Sequence, residues 1–149
     1  MEKLNFPEYR FRIKESGISY TIFDVVRKKF VALTPEEWVR QHVIHHFTET
    51  LEYPASLISV EKTIKTSGRS DRFDLIVYNR NHEPAMIVEC KAPNIILSAS
   101  VVEQVSRYNI FSKAGWVYIT NGLQHYLYRI DFKTKKTKSS DNFPAFTEL

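Results

Sequence analysis

Two apolar runs joined by a short polar segment constrain this chain most. Arg72-Phe73-Asp74-Leu75-Ile76-Val77-Tyr78 and Pro84-Ala85-Met86-Ile87-Val88 are rich enough in branched residues to read as buried strands. Asn79-Arg80-Asn81-His82-Glu83-Pro84 between them reads as a turn. The second run ends in Glu89-Cys90-Lys91, and strand alternation puts Glu89 and Lys91 on one face. A hairpin centred between Asn81 and His82 places Asp74 directly opposite Glu89. Opposed like charges destabilise a sheet, so two carboxylates and a lysine at one strand tip call for a cation.

Composition sets wide bounds. At 149 residues and 43% hydrophobic content, the chain suits one domain with its own core. The net charge of +4 permits an anionic partner without requiring one. A single cysteine, Cys90, excludes an internal disulfide and any cysteine-rich zinc or iron–sulfur site. No apolar stretch is long enough to span a membrane and no secretory leader pattern is present, so a cytoplasmic location without a membrane partner is expected.

Residues 9–32 predict an N-terminal β-hairpin, with Tyr9 to Ile13 as one strand, a turn at Ser16-Gly17, and an extended run from Tyr20 to Ala32. A helix starts at Thr34 as N-cap, with Pro35 in the first turn and Glu37 completing a capping box, and runs to about Thr50. Leu57 to Lys65 is a strand, followed by a turn at Ser67-Gly68-Arg69-Ser70. Ser98 or Ser100 caps a second helix running to about Ser112. Trp116 to Thr120 and His125 to Asp131 form a hairpin about Asn121-Gly122. Lys133 to Lys138 opens a basic, mobile tail. The expected organisation is one domain: a hairpin extension over 1–32, a core over 33–132, and a polar tail over 133–149. The fold class is α/β, a mixed sheet flanked by helices.

This order, with Asp74 followed by Glu89-x-Lys91 on adjacent strands, resembles the PD-(D/E)XK nuclease superfamily. Arg72-Phe73-Asp74 through Glu89-Cys90-Lys91-Ala92-Pro93 is more closely similar to the N-terminal nuclease domain of type I restriction enzyme R proteins. Gln104-x-x-x-Tyr108 resembles the Q-x-x-x-Y element of those domains, and Thr34 to Gln41 resembles their opening helix. The likeness covers roughly residues 30–130. Phe73 stands where the superfamily name expects proline. No helicase motor of the kind R proteins carry lies within these residues, so a complete R subunit is not expected.

The resemblance implies a restriction-endonuclease-like fold and Mg²⁺-dependent hydrolysis of DNA phosphodiester bonds, with Mn²⁺ as an alternative metal. Asp74, Glu89 and the Cys90 backbone carbonyl would hold the metal, since a hard cation takes oxygen ligands. The cation would activate water, and Lys91 would orient that water or neutralise developing charge. Gln104 and Tyr108, one helical turn apart, would support the site or touch the DNA backbone. Glu37 is the expected acid from the first helix, with Glu36 as the alternative holder of that role. Arg69, Arg72 and Arg107 are candidate phosphate contacts. Other restriction-system subunits or a second copy of the chain are the expected protein partners. The competing functional class is a non-catalytic nucleic-acid-binding or assembly module with the same fold. His42, His45 and His46 lack a zinc-protease pattern and are expected on a solvated helix face.

Overall fold

The computed structural model describes residues 1–100, 102–103 and 113–149. Strands β1 (Ile13–Ser16), β2 (Ser19–Asp24) and β3 (Lys29–Ala32) form an antiparallel sheet in sequential order. Helix α1 (Pro35–His45) follows, then a π-helical turn over His46–Thr50. Strands β4 (Ile58–Thr66), β5 (Arg69–Tyr78), β6 (Pro84–Cys90), β7 (Trp116–Thr120), β8 (His125–Asp131) and β9 (Lys136–Ser139) build a second sheet, again in sequential order. Strands β6 and β7 run parallel and the other described neighbours antiparallel, so this sheet is mixed, as expected.

Strand alternation divides the core. Met86, Val88, Cys90 and Tyr118 pack with Val39, Val43, Ile44 and Phe47 of α1 and the turn after it. Ile87 belongs to a second apolar cluster with Phe73, Ile76 and Ala114. Val117 and Ile119 join a third with Leu97. Val39, Val43, Ile44 and Phe47 are fully buried, each contributing about 1.5–3 kcal/mol where a large apolar side chain leaves water.

The N-terminal hairpin has a third strand. The run from Tyr20 to Ala32 breaks at Asp24, whose Oδ1 accepts the backbone N–H groups of Val26 (2.8 Å) and Arg27 (2.7 Å). Lys28 then takes a left-handed φ of 54°. No glycine or proline marks this turn, so the sequence reads as one extended run. Tyr9 and Phe11 lie ahead of β1 instead of within it. Their rings cover α1, where His42 and His45 are buried against Phe11 and Tyr9, so the three histidines do not line a solvated face. The reason is local: Phe6, Tyr9 and Phe11 supply aromatic surface that caps the helix.

Thr34 caps α1, its hydroxyl accepting the Glu37 N–H at 3.1 Å. The Glu37 carboxylate does not close the capping box, because cations and Gln41 claim both its oxygens. Residues 121–124 form a four-residue connection, not a two-residue turn, with Asn121 Oδ1 accepting from Leu123 N (3.0 Å) and Gln124 N (2.7 Å). The second helix opens with helical residues at 99, 100, 102 and 103.

The basic tail is also structured. Residues 136–139 pair with β8, and Phe143, Phe146 and Leu149 return to pack on the main core. Apolar residues beyond the lysine run anchor this return. Tyr53 hydroxyl donates to the Pro144 carbonyl at 2.6 Å in a buried site. Tyr53→Phe leaves that carbonyl without its donor and is expected to lower stability by about 1–3 kcal/mol. Urea denaturation measures this; a midpoint identical to wild type would show that the C-terminal return does not depend on the bond.

Candidate active site

The β5–β6 ladder pairs Leu75 with Val88, Ile76 with Ile87 and Val77 with Met86. That register, continued by one residue, brings Asp74 opposite Glu89 at the ladder's end. A bulge at Tyr78 and a five-residue loop, Asn79 to Glu83, preserve it. Asp74 Oδ2 accepts the Cys90 backbone N–H at 2.7 Å, tying the two strand ends together. Lys91 N–H donates to the Thr120 carbonyl at 2.9 Å, and Lys91 Nζ lies 3.0 Å from Glu89 Oε1. Cys90 points into the core between them.

The other side of Asp74 is held by a residue that the sequence did not single out. Arg40, on α1, donates from Nη2 to Asp74 Oδ1 at 2.7 Å and to Glu36 Oε1 at 3.1 Å, and from Nη1 to Glu37 Oε2. Its partner Glu37 also accepts from Arg27 at 2.7 Å and from Gln41 at 2.8 Å. Arg40 follows Glu37 by three residues and Glu36 by four, a spacing that in sequence reads as surface ion pairs. Only the fold shows that its side chain is 6% exposed.

The strand beside Asp74 is irregular. The β4–β5 ladder pairs Val60 with Leu75 and Lys62 with Phe73, but skips the intervening Glu61 and Asp74. Glu61 has a φ of 52°, a left-handed conformation unfavourable for a residue with a side chain. Such strain tends to collect at functional sites. The Glu61 carboxylate joins Arg72 (2.6 Å) and Arg27 (3.1 Å).

The electrostatics follow from this crowding. Burial and then the Asp74 charge push Glu89 up to about 7, against the opposing pull of Lys91. Burial and Asp74 likewise raise Glu36. Burial alone would lower the Lys91 ammonium, but Glu89, Asp74 and Glu36 together leave it raised. Arg40 is held firmly protonated by Asp74 and Glu37 despite its burial. Glu36, Asp74, Glu89 and Lys91 thus act on one another. Glu36 is the α1 acid that joins them, while Glu37 sits in the buried Arg27–Arg40–Gln41 network.

One connected set of ion pairs joins five carboxylates (Asp24, Glu36, Glu37, Glu61, Asp74) to three cations (Arg27, Arg40, Arg72), and Glu89 with Lys91 forms a separate pair. Acids outnumber cations in this region, which favours an added positive charge. The donors nearest the strand tips are oxygens, and burial pushes the Cys90 thiol up, away from thiolate. This set fits Mg²⁺ or Mn²⁺ better than a soft metal. Among the described residues, no three His, Cys, Asp or Glu side chains gather as a ready ligand group.

Of the expected phosphate contacts, Arg72 is exposed and paired with Glu61, and Arg69 is exposed 3.2 Å from Asp71. Gln104, Arg107 and Tyr108 lie outside the described residues.

The family described as type I restriction enzyme R protein N terminus (HSDR_N) matches residues 35–144. The chain belongs to this family. No curated protein matches the chain significantly. A solved structure of a fragment assigned to the HsdR subunit of a type I restriction enzyme from Vibrio vulnificus YJ016 is similar, with 25% identity and a TM-score of 0.55. The alignment covers 78% of this chain and 24% of that one, so this R-protein domain corresponds to about a quarter of its solved relative. No helix among the described residues is long and apolar enough to cross a membrane.

A raised carboxyl makes stability depend on pH. Folded Glu89 holds its proton up to about 7, whereas its ordinary value is 4.5. Between those values the folded state binds more protons, so stability falls as pH rises through that window. In EDTA, the stability advantage of wild type over Glu89→Gln, read from urea midpoints, should shrink from pH 5 to pH 8; the lowered His42, His46 and His125 add an opposing slope common to both proteins. Equal slopes for the two proteins would remove Glu89 as the cause.

Proposed function

We propose that this R-protein N-terminal domain is a Mg²⁺-dependent DNA endonuclease centre of the PD-(D/E)XK kind. The observation that carries the reading is Asp74 joined to the Glu89-Cys90-Lys91 strand tip, with carboxylate charge in excess, in a chain of the R-protein family. Asp74, Glu89 and the Cys90 carbonyl would hold the metal, with Glu36 the additional acid from α1. Mn²⁺ would serve in its place. A bound divalent cation supplies charge neutralisation at the scissile phosphate and acidifies water.

The chain's own residues do the rest. Asp74 is held at both oxygens, by Arg40 and by the Cys90 N–H, so its carboxylate is oriented in advance. Lys91 is anchored through its backbone to Thr120, which aims the ammonium at the strand tips. There it places attacking water and offsets negative charge growing on the phosphate. Water would form the new phosphorus–oxygen bond as the phosphorus–oxygen bond to one nucleotide breaks, with the proton lost by the water passing through solvent and the departing oxygen gaining one. Arg69 and Arg72, on the same strand as Asp74, would contact neighbouring phosphates. Gln104, Tyr108 and Arg107 remain proposed support and DNA contacts on the following helix. Other subunits of a restriction system or a second copy of the chain are the proposed protein partners, and the cytoplasm is the proposed location.

One observation favours the second reading, a non-catalytic DNA-binding or assembly module. Asp74 has Arg40 and Glu89 has Lys91, so each proposed metal ligand already owns a cation. Cleavage separates the two. Wild type is expected to nick or cut plasmid DNA with Mg²⁺ or Mn²⁺ and not with EDTA. Lys91→Ala should reduce the rate by about 100-fold or more, while shifting stability by no more than about 1 kcal/mol, since its ion pair is part-exposed. DNA binding should weaken steeply with salt, as counterion release requires. DNA binding without cleavage in either metal would leave the module reading standing.

A further inference from the structure

The charged network around Asp74 extends beyond the family match. Arg27 lies in the turn between β2 and β3, ahead of residue 35 where that match begins. Its guanidinium serves three carboxylates: Nε meets Asp24 Oδ2 at 2.6 Å, Nη2 meets Glu37 Oε1 at 2.7 Å, and Nη1 meets Glu61 Oε2 at 3.1 Å. Glu37 in turn binds Arg40, and Arg40 holds Asp74 Oδ1 at 2.7 Å. Gln41 closes the ring, donating to Asp24 Oδ2 at 2.9 Å and Glu37 Oε1 at 2.8 Å. The Asp24 turn itself, made by its two backbone hydrogen bonds, aims Arg27 at α1.

We propose that Arg27 is a positioning residue for Asp74, acting through Glu37 and Arg40, so that the N-terminal three-stranded sheet forms part of the active site. This rests on the metal-dependent reading above. Two physical arguments support it. A guanidinium offers a fixed fork of donors, and here the fork reaches three separate carboxylates at once; an ammonium on a flexible stem cannot reproduce that. The network is also poorly optimised for stability. Arg40 Nε and Gln41 Oε1 are buried with no hydrogen-bond partner among the described residues. Buried ion pairs often stabilise no better than apolar packing of the same volume. Holding a ligating carboxylate in one orientation is a function that apolar packing could not perform, and such outer supports commonly contribute 10- to 100-fold, as an order of magnitude, to metal affinity.

The test compares the full chain with Arg27→Lys and with the double variant Arg27→Gln/Glu37→Gln. Both leave the site's net charge unchanged, so a change in metal affinity reports geometry and not charge. The double variant removes Arg27 and Glu37 together, after which Asp24 keeps its two backbone N–H donors and Gln41, and Arg40 keeps Glu36 and Asp74. Mn²⁺ binding is followed by electron paramagnetic resonance, with Asp74→Asn as the control that locates the bound ion. Plasmid cleavage gives kcat and KM, and thermal melting monitors the fold. The Mn²⁺ dissociation constant is expected to rise about tenfold or more in either folded variant, kcat to fall with it, and KM for DNA to stay as in wild type. Wild-type Mn²⁺ affinity in a folded variant overturns the role of Arg27 and leaves the nuclease reading intact. A wild-type chain that neither binds Mn²⁺ nor cuts DNA overturns that reading, and the role of Arg27 falls with it.

Discussion

A guanidinium inside a protein must be surrounded by acceptors, because it cannot shed its proton and its desolvation is expensive. Arg40 meets that demand with Asp74, Glu37 and Glu36. Much of the site's geometry follows. Asp74 comes from β5 and Glu36 and Glu37 from the first turn of α1, so the bonds of Arg40 join the sheet to the helix that covers it. Glu37 then draws in Arg27 from the β2–β3 turn, and Arg27 also meets Glu61 of β4, which ties the small sheet to α1 and to the large sheet. The acids of this group outnumber its cations. Burial first, and then the Asp74 charge, raises Glu89 and Glu36, and the surplus of acids makes the strand tips receptive to an added positive charge.

The irregular place in β4 belongs to the same arrangement. A regular ladder would pair Glu61 with Asp74 through the backbone. Instead Glu61 turns to a left-handed conformation, and its carboxylate reaches Arg27 and Arg72. Asp74 answers to α1 and to β6, not to β4. Local strain of this sort persists only where surrounding contacts over-determine it, and here Arg27, Arg40 and Arg72 around the Glu61 carboxylate do so.

The large sheet was legible because its strands are long, apolar and bounded by polar turns. The Asp74–Glu89 approach followed from one hairpin register, which the structure keeps despite a bulge and an asymmetric loop. What escaped the sequence has a common cause. The turn at Asp24 is made by a side chain hydrogen-bonding its own backbone, with no glycine to announce it. Arg40 and Arg27 look like ordinary helix and loop charges until their burial is known. The lysine-rich segment suggested a mobile tail, yet β9 pairs with β8 and Phe143 and Phe146 carry the chain back to the core. Lysines on β9 suit an edge strand, where charge discourages further pairing. The His42–His45 face was misread because its cover, Phe6 to Phe11, comes from more than thirty residues upstream.

The internal cations bear differently on the two functional readings. Lys91 pairs with Glu89 at a part-exposed strand tip, where an ammonium can swing to another anion at small cost. Arg40 is buried, bound by three acids, and cannot leave Asp74 without stranding its own charge. An added cation would therefore compete with Lys91 for Glu89 but would share Asp74 with Arg40. Each carboxylate oxygen has two lone-pair directions, so a hydrogen bond from Arg40 leaves room for a further ligand contact on the same atom. The mobile cation is the one that a phosphate would also attract, and the fixed cation is the one that orients a ligand. This division of labour between Lys91 and Arg40 suits the proposed hydrolytic site, in which one cation orients a ligand and the other meets the phosphate.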